Sequence, residues 1–343
     1  MNPYMAYEAV NTKIITKKGH ILKSEMWEKV FTFNTVDQLS DFFKNHTEIK
    51  KIFKNLNNSD LHRNNLENLL NKYRTLELEE LIQYFSGPYK EFVKALLIEE
   101  EIQDLSLILR KISRNENLNE VRDSFIHSEK YTKINFEKLI SCRSVQQFTE
   151  NLKNTIYYND LRNLTNEDAI KREFHIEMKL NLLYYNNLIK KAALLNKDDG
   201  LIAKQIIGYK IDLENTQWIY RALTYYNLTP EEILIYSLKG GNKLSFSLLK
   251  KLCYTKTKHD FMKMANLYLK FDFFDNTENN NVVISIDKFM IDYLRKGNFQ
   301  GIGSILAYFY LLGIIIYDLT SVTEGIKYNI PKEKIKEYLA FKI

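Results

Sequence analysis

Three short motifs each occur three times along this chain of 343 residues, in the same order and with a period close to 110 residues. A fixed period of this kind is typical of similar structural units that cover one another's apolar surfaces. The repetition therefore restricts the fold to an array, and we predict three units: residues 1–130, residues 131–243 and residues 244–343.

The first motif is an apolar residue, two charged residues and a second apolar residue, followed five positions later by Ser or Thr. Its copies are Trp27-Glu-Lys-Val30 with Thr35, Phe136-Glu-Lys-Leu139 with Ser144, and Leu249-Lys-Lys-Leu252 with Thr257. A hydroxyl side chain in front of an apolar-periodic segment is a preferred helix N-cap. We therefore expect a helix to begin after Thr35, Ser144 and Thr257.

The second motif is an apolar residue and an acidic residue, with a Tyr about two helical turns later. Its copies begin at Leu66-Glu67, Ile176-Glu177 and Ile286-Asp287. The acidic residues Glu67, Glu177 and Asp287 recur once per unit. This periodicity indicates equivalent helix positions, solvated or ion-paired, and argues against a catalytic trio.

The third motif is a helix whose apolar positions are spaced by three, four and three residues. Its copies are Ile102-Leu105-Leu109-Ile112, Leu213-Thr216-Tyr220-Leu223 and Ile316-Leu319-Thr323-Ile326. A short polar link into another helix follows each copy. In the second copy this helix should begin with a capping box formed by Thr229, Pro230 and Glu232. In the third copy Pro331 predicts a helix start, and in the first copy Asn119 predicts a helix cap.

The helical spacing and the shortage of turn residues favour an all-α protein. Only 11 Gly and 4 Pro occur in the sequence, whereas many short strands would require more of both. The charge-free segment from Gly301 to Tyr317 is 17 residues long and has no flanking Lys or Arg cluster. It lies in the third copy of a unit whose other copies carry charges here, so we predict a buried helix and not a membrane span.

Charge and cysteine content narrow the classes of function. The net charge is +6, but basic and acidic residues are interspersed without a run of five like charges, which argues against a nucleic-acid footprint and suits work near an anionic membrane surface. Cys142 and Cys253 have no CxxC partner, so neither a disulfide framework nor a zinc site is indicated and a reducing cytoplasm is expected. The N-terminus does not resemble a signal peptide.

Signatures of catalysis and of cofactor binding are missing from the sequence. It contains no GxxxxGK[ST] phosphate loop and no HExxH pair. Gly240-Gly241 is too short to cradle phosphates and predicts a linker or a helix C-cap. Trp27 and Trp218 stand at apolar repeat positions and are predicted to lie in the core. We expect no catalytic residue, no cofactor, no metal and no directly bound nucleotide.

The segment 211–245 resembles the C subunit of V-type and archaeal-type ATPases, the counterpart of the eukaryotic d subunit. The matching residues are Asn215, Arg221, Tyr225, Tyr226, Leu228, Thr229, Pro230, Glu231, Glu232, Gly240 and Gly241. The segment beginning at Tyr7 and the segment 329–339 also resemble this family, so the resemblance covers nearly the whole chain.

The resemblance implies a funnel of three pseudo-symmetric helical repeats in the central stalk of a rotary ATPase. A non-catalytic subunit of this kind, peripheral on the cytoplasmic face of the membrane, would join the central shaft subunits to the membrane rotor ring. It would thereby couple ATP synthesis or hydrolysis to H⁺ or Na⁺ transport.

Arg110 and Arg221 end equivalent helices and are our candidates for partner contacts, although a solvated or internally paired Arg is an equal alternative. The third copy has Glu324 at this position, so the three copies are not expected to contact a partner equivalently. Another class of function stays open, an α-helical repeat scaffold that binds another protein or RNA, and co-purification with shaft and rotor subunits would distinguish the two. A soluble enzyme would require a cluster of perturbed ionisable groups, which the sequence does not reveal.

Overall fold

The computed structural model describes residues 3–19, 24–53, 66–165, 173–226, 228–274, 282–297 and 299–341. All the regular elements in these ranges are helices, so the all-α prediction is confirmed. We number the α-helices α1 to α17 along the chain.

The helices fall into three groups in chain order. The first group is α1 (Pro3–Gly19), α2 (Ser24–Val30), α3 (Val36–His46), α4 (Leu66–Ile82), α5 (Gly87–Leu96) and α6 (Ile98–Ser113), with 3₁₀-helices at Glu48–Phe53 and Val121–Ser124. The second is α7 (Phe136–Ile140), α8 (Val145–Asn151), α9 (Tyr158–Leu161), α10 (Glu173–Ala192), α11 (Lys197–Tyr225) and α12 (Pro230–Ile235). The third is α13 (Phe246–Cys253), α14 (Lys258–Leu269), α15 (Val282–Lys296), α16 (Ile302–Lys327) and α17 (Lys332–Glu337).

The three predicted N-caps are confirmed. The hydroxyl of Thr35 accepts the backbone N–H of Gln38 at 3.3 Å, that of Ser144 accepts Gln147 N–H at 3.2 Å, and that of Thr257 accepts Asp260 N–H at 3.0 Å. Each bond satisfies one of the backbone donors that a helix start leaves without an intrahelical acceptor. Helices α3, α8 and α14 therefore begin in the same way.

The links after the third motif follow the predictions only in part. Thr229 and Glu232 form the capping box at α12, as predicted. Asn119 does not cap a helix: the 3₁₀-helix begins at Val121, and the Asn119 N–H instead donates to Asn117 Oδ1 at 2.9 Å. Asn117 thus closes a local turn, and Glu120 stands at the N-cap of the 3₁₀-helix. Pro331 stands at the N-cap of α17, one position before the first helical residue.

Helix α16 is the most apolar element described. It is long and apolar enough to cross a membrane, but 89% of its most apolar stretch is buried inside the protein. It packs against α1, α3, α11, α15 and α17, which together cover its apolar circumference. The prediction of a buried helix at 301–317 is confirmed, and Trp27 and Trp218 are core residues with 3% and 4% exposure.

The chain divides into two compact units, Met1–Asn55 with Ala192–Ile343, and Leu56–Lys191. In the first unit Phe341, near the C-terminus, stacks on Trp27 of α2 with ring centroids 6.5 Å apart. In the second unit His127 stacks on Phe136 of α7 at 3.7 Å. Trp27 and Phe136 occupy equivalent positions of the first motif, so in both units the segment that follows a long helix covers an equivalent short helix.

Candidate partner-binding site

Each of the long helices α6, α11 and α16 carries a buried Asp or Asn that holds a backbone segment 22 or 23 residues further along. In α6, Asp104 accepts the N–H of Ile126 at 3.0 Å and the N–H of His127 at 2.8 Å. The imidazole Nδ1 of His127 lies 2.7 Å from the same carboxylate. The interior of the helix is thus tied to the link that leaves its end.

The other two long helices repeat this arrangement. Asn215 of α11 accepts the Leu238 N–H at 2.7 Å and donates its amide to the Leu238 carbonyl at 2.9 Å. Asp318 of α16 accepts the N–H of Ala340 at 3.1 Å and that of Phe341 at 2.9 Å. We call Asp104, Asn215 and Asp318, with the backbone groups that they hold, the three Asx clamps. Each stands two positions after the first residue of the third motif.

The clamps differ in how they accommodate charge. Asp318 is fully buried, and burial raises its pKa to about 7 although the N–H groups of Phe341 and Ala340 oppose the shift. Loss of hydration disfavours an ionised carboxylate more than two backbone donors favour it. Asn215 carries no charge, and Asp104 has the imidazole of His127 beside it.

Helix α11 has an additional acidic residue that organises the Gly240-Gly241 loop. Asp212 accepts the backbone N–H groups of Asn242, Lys243 and Leu244 at 2.9, 2.7 and 3.0 Å. Burial raises the pKa of Asp212, and the three N–H bonds oppose that shift. A Cβ on Gly241 would lie 2.1 Å from Asp212 Oδ1. The two glycines are therefore a linker that fits tightly over a carboxylate, which is one of the two predicted roles.

Arg110 and Arg221 each stand six residues after an Asx clamp, close to the end of α6 and of α11. Arg110 is exposed, in a basic helix end with Lys111 and Arg114. Arg221 is half-buried and donates to the Tyr226 hydroxyl at 3.2 Å. Arg110 belongs to the second compact unit and Arg221 to the first, so each is a candidate in its own unit.

Exposed aromatic residues at the helix ends were given no role by sequence reasoning. Tyr225 is 71% exposed at the end of α11, and Tyr328 is 65% exposed just after α16. Each stands ten residues after its clamp residue, and the first copy has the exposed Arg114 there. Counting from the third motif with the repeat period would have found Tyr328. Exposed Tyr and Arg side chains are enriched at protein interfaces.

Buried acidic groups also occur away from the helix ends. Arg74 of α4 contacts Glu99 at 2.8 Å and Glu100 at 3.1 Å, and burial raises the pKa of Glu100 to about 7 despite the attraction of Arg74. Burial likewise raises the pKa of Asp287 to about 6, against the attraction of Lys210. The sequence did not reveal that the pKa values of these carboxyl groups are raised, because their burial depends on which helices pack around them.

The structure does not assemble these groups into a metal centre. Among the ranges described above, no group of three or more His, Cys, Asp and Glu side chains is placed to hold a metal ion. Glu67 and Glu177, the equivalents of Asp287, are half-buried like it. Cys142 and Cys253 are free and buried.

Comparison with known proteins identifies a family. Residues 10–338 match the family model of the ATP synthase (C/AC39) subunit. The matched range contains all three Asx clamp residues and both candidate arginines.

Three relatives found by the comparison are C subunits of A-type ATP synthases. The chain is 24% identical over 340 residues to the C subunit of the A-type ATP synthase of Archaeoglobus fulgidus, covering 97% of this chain and 95% of the relative. It is 23% identical to the same protein of Methanosphaera stadtmanae, with 98% and 88% covered. Over 260 residues it is 21% identical to that of Methanosarcina mazei, with 75% and 70% covered.

Proposed function

This chain belongs to the ATP synthase (C/AC39) subunit family, and from that premise we propose that it is the central-stalk subunit that joins a rotary motor's shaft to its membrane rotor ring. The family is structural, so the chain is a non-catalytic subunit of a rotary ATPase. It works with the other subunits of a membrane-bound complex. Beyond family membership, we propose the coupling role, the shaft and the ring as partners, and H⁺ or Na⁺ as the transported ion.

The observation that carries the proposal is the family match over nearly the whole chain. The three Asx clamps support it physically. Transmission of torque requires a body that does not yield between its two attachment points, and a buried hydrogen-bonded tie between a long helix and the following link restricts such yielding. Because the clamps recur in all three helices of the third motif, each of these helices is tied to the link that follows it.

The charge pattern supports a peripheral position on the cytoplasmic face of the membrane. Mixed basic and acidic residues with a net charge of +6 suit polar contacts with subunits that lie beside an anionic surface. The one helix that is both long and apolar enough to cross a bilayer, among the residues described, is buried in the protein. Attachment to the membrane is therefore proposed to occur through the rotor ring.

A pull-down from detergent-solubilised membranes tests this assignment. The tagged chain should retrieve shaft subunits and the rotor ring together. Recovery of RNA or of unrelated proteins without any motor subunit would favour the repeat-scaffold alternative. The candidate arginines are tested in the same assay by the double substitution Arg110→Glu and Arg221→Glu.

The double variant should retain less shaft than the wild type, and the loss should grow as salt is lowered, since like charges repel more strongly over a longer Debye length. A matched control replaces two exposed arginines outside these helix ends, Arg143→Glu and Arg162→Glu, and should bind normally. Equal binding by both double variants would remove Arg110 and Arg221 from the interface and leave the function itself standing.

A further inference from the structure

A cavity of about 250 Å³ lies in the second compact unit, away from the C-terminal end of α6 that carries Arg110. Helices α5, α6 and α10 form three of its sides, and the segments 128–134 and 154–157 complete it. Neither the family match nor the repeat pattern gives this cavity a role.

Cations outnumber anions at the cavity rim. Lys94 donates to Glu91 at 2.9 Å, and Lys191 lies 3.7 Å from the other oxygen of the same carboxylate. The bond from Lys94 lowers the pKa of Glu91, and attraction by Lys191 and Lys133 adds to the shift. Three ammonium groups thus share one half-exposed carboxylate, and the rim retains a surplus of positive charge.

The interior of the cavity holds one acidic side chain, and this side chain is already engaged. Glu101 accepts the Tyr157 hydroxyl at 2.6 Å and a bond from Thr132. What the cavity leaves available is therefore the positive charge of its rim, which an oxyanion satisfies.

Apolar side chains form the remaining wall. They are Leu97, Ile98, Ile134 and Ile156. Ile156 is 48% exposed, so this wall is open to a ligand from outside. A cavity of this size is smaller than the roughly 300 to 1,000 Å³ of pockets for drug-sized ligands, so its ligand should be small.

We propose that this cavity binds a small organic anion, a phosphate ester or a carboxylate with a compact apolar body. The oxyanion lies between Lys133 and Lys191. The apolar body rests on Ile98, Ile134 and Ile156. Pairing the anion with Lys191 and Lys133 uses charge that Glu91 alone does not neutralise.

Calorimetric titration of the purified full chain at low ionic strength tests the proposal. The probes are phenyl phosphate, benzoate, inorganic phosphate and benzyl alcohol. Saturable one-to-one binding of phenyl phosphate or benzoate is expected, with weaker binding of inorganic phosphate and none of the neutral alcohol. Preference between the two organic anions distinguishes a phosphate ester from a carboxylate as the natural ligand.

Two variants decide whether the cavity is the site. Lys133→Gln with Lys191→Gln should weaken binding by about tenfold or more, because charge-assisted hydrogen bonds are lost. Lys138→Gln with Lys153→Gln, on the same unit but outside the cavity lining, should bind like the wild type. Circular dichroism verifies that both variants fold. Absence of saturable binding to either organic anion, unchanged affinity in the Lys133 and Lys191 variant, or equal affinity for benzyl alcohol would overturn the proposal.

Discussion

The first and third Asx clamps make the same backbone contacts with different electrostatics. Asp104 accepts two backbone N–H groups and has the His127 imidazole at 2.7 Å. Asp318 accepts two backbone N–H groups, and in place of His127 the third copy has Phe341, whose ring stacks on Trp27. A buried carboxylate is costly unless its charge is compensated, and only the first clamp has an imidazole to do so.

The comparison shows three solutions to one structural requirement. In each helix of the third motif, one side chain accepts backbone N–H groups of the link that follows the helix. The first copy supplies a carboxylate with a neighbouring imidazole, the second a neutral amide, and the third a carboxyl group whose pKa is raised to about 7. The third clamp should therefore respond to pH in a way that the second does not.

The largest expected effect is the pH dependence of stability that Asp318 contributes. Its pKa in the folded chain is about 7, above the ordinary value of 3.8, so the folded state binds the proton more tightly than the unfolded state. The free energy of unfolding should therefore fall as the pH rises from about 4 to about 7, by on the order of 3 kcal/mol from this group. Urea denaturation at a series of pH values measures it.

The substitution Asp318→Asn isolates that contribution, because Glu100 and Asp287 titrate in the same window. The variant should lose most of the decline between pH 4 and pH 7 that Asp318 causes. Asp292→Asn, which removes an exposed carboxylate paired with Lys296, is the matched control. If the Asp318 and Asp292 variants keep the same pH profile as the wild type, the third clamp does not bury a titrating acid.

Removing the third clamp altogether should cost less but still be large. Asp318→Ala leaves the N–H groups of Ala340 and Phe341 without their acceptor and loosens the stack of Phe341 on Trp27. We expect a loss of about 2 to 3 kcal/mol at pH 5, where the wild-type carboxyl is protonated. The Trp fluorescence maximum should shift to longer wavelength as Trp27 becomes hydrated. If this variant is as stable as the wild type, Ala340 and Phe341 are held in place by packing alone.

A smaller effect is expected from making the first clamp resemble the third. His127→Phe keeps an aromatic ring on Phe136 but removes the imidazole beside Asp104. We expect a loss of about 1 to 2 kcal/mol at pH 7, because the buried Asp104 carboxylate loses a hydrogen-bond partner. Thermal unfolding at pH 7 measures this loss. A variant as stable as the wild type would show that His127 does not support the first clamp.

Helix starts were predicted well from the sequence, because capping is local. Each predicted cap, Thr35, Ser144 and Thr257, accepts a bond from the backbone N–H three residues later. A spacing this short can be recognised in the sequence. The prediction for Asn119 was wrong because the 3₁₀-helix begins only at Val121, with Glu120 at its N-cap. The buried character of α16 was predictable from the missing charges and the place of this helix in the repeat.

The clamps were not predictable in the same way. Asp318 accepts bonds from backbone N–H groups 22 and 23 residues away. Because any residue other than Pro can supply such a group, the sequence does not show which residues are the partners. Asn215 stood out only as one of the residues that carry the family resemblance. The orientation of Arg221 toward Tyr226 and the burial around Asp287 likewise depend on tertiary packing.

The coupling between ATP hydrolysis and ion transport tests the central claim most directly. Membrane vesicles that contain the complete motor are compared with vesicles reconstituted without this chain, and ATP-driven ion uptake and ATP hydrolysis are measured on both. Without the chain, uptake should be lost while the catalytic head continues to hydrolyse ATP, and adding the purified chain back should restore uptake. Normal ion uptake in the absence of the chain would contradict the assignment of this subunit as the connection between shaft and rotor ring.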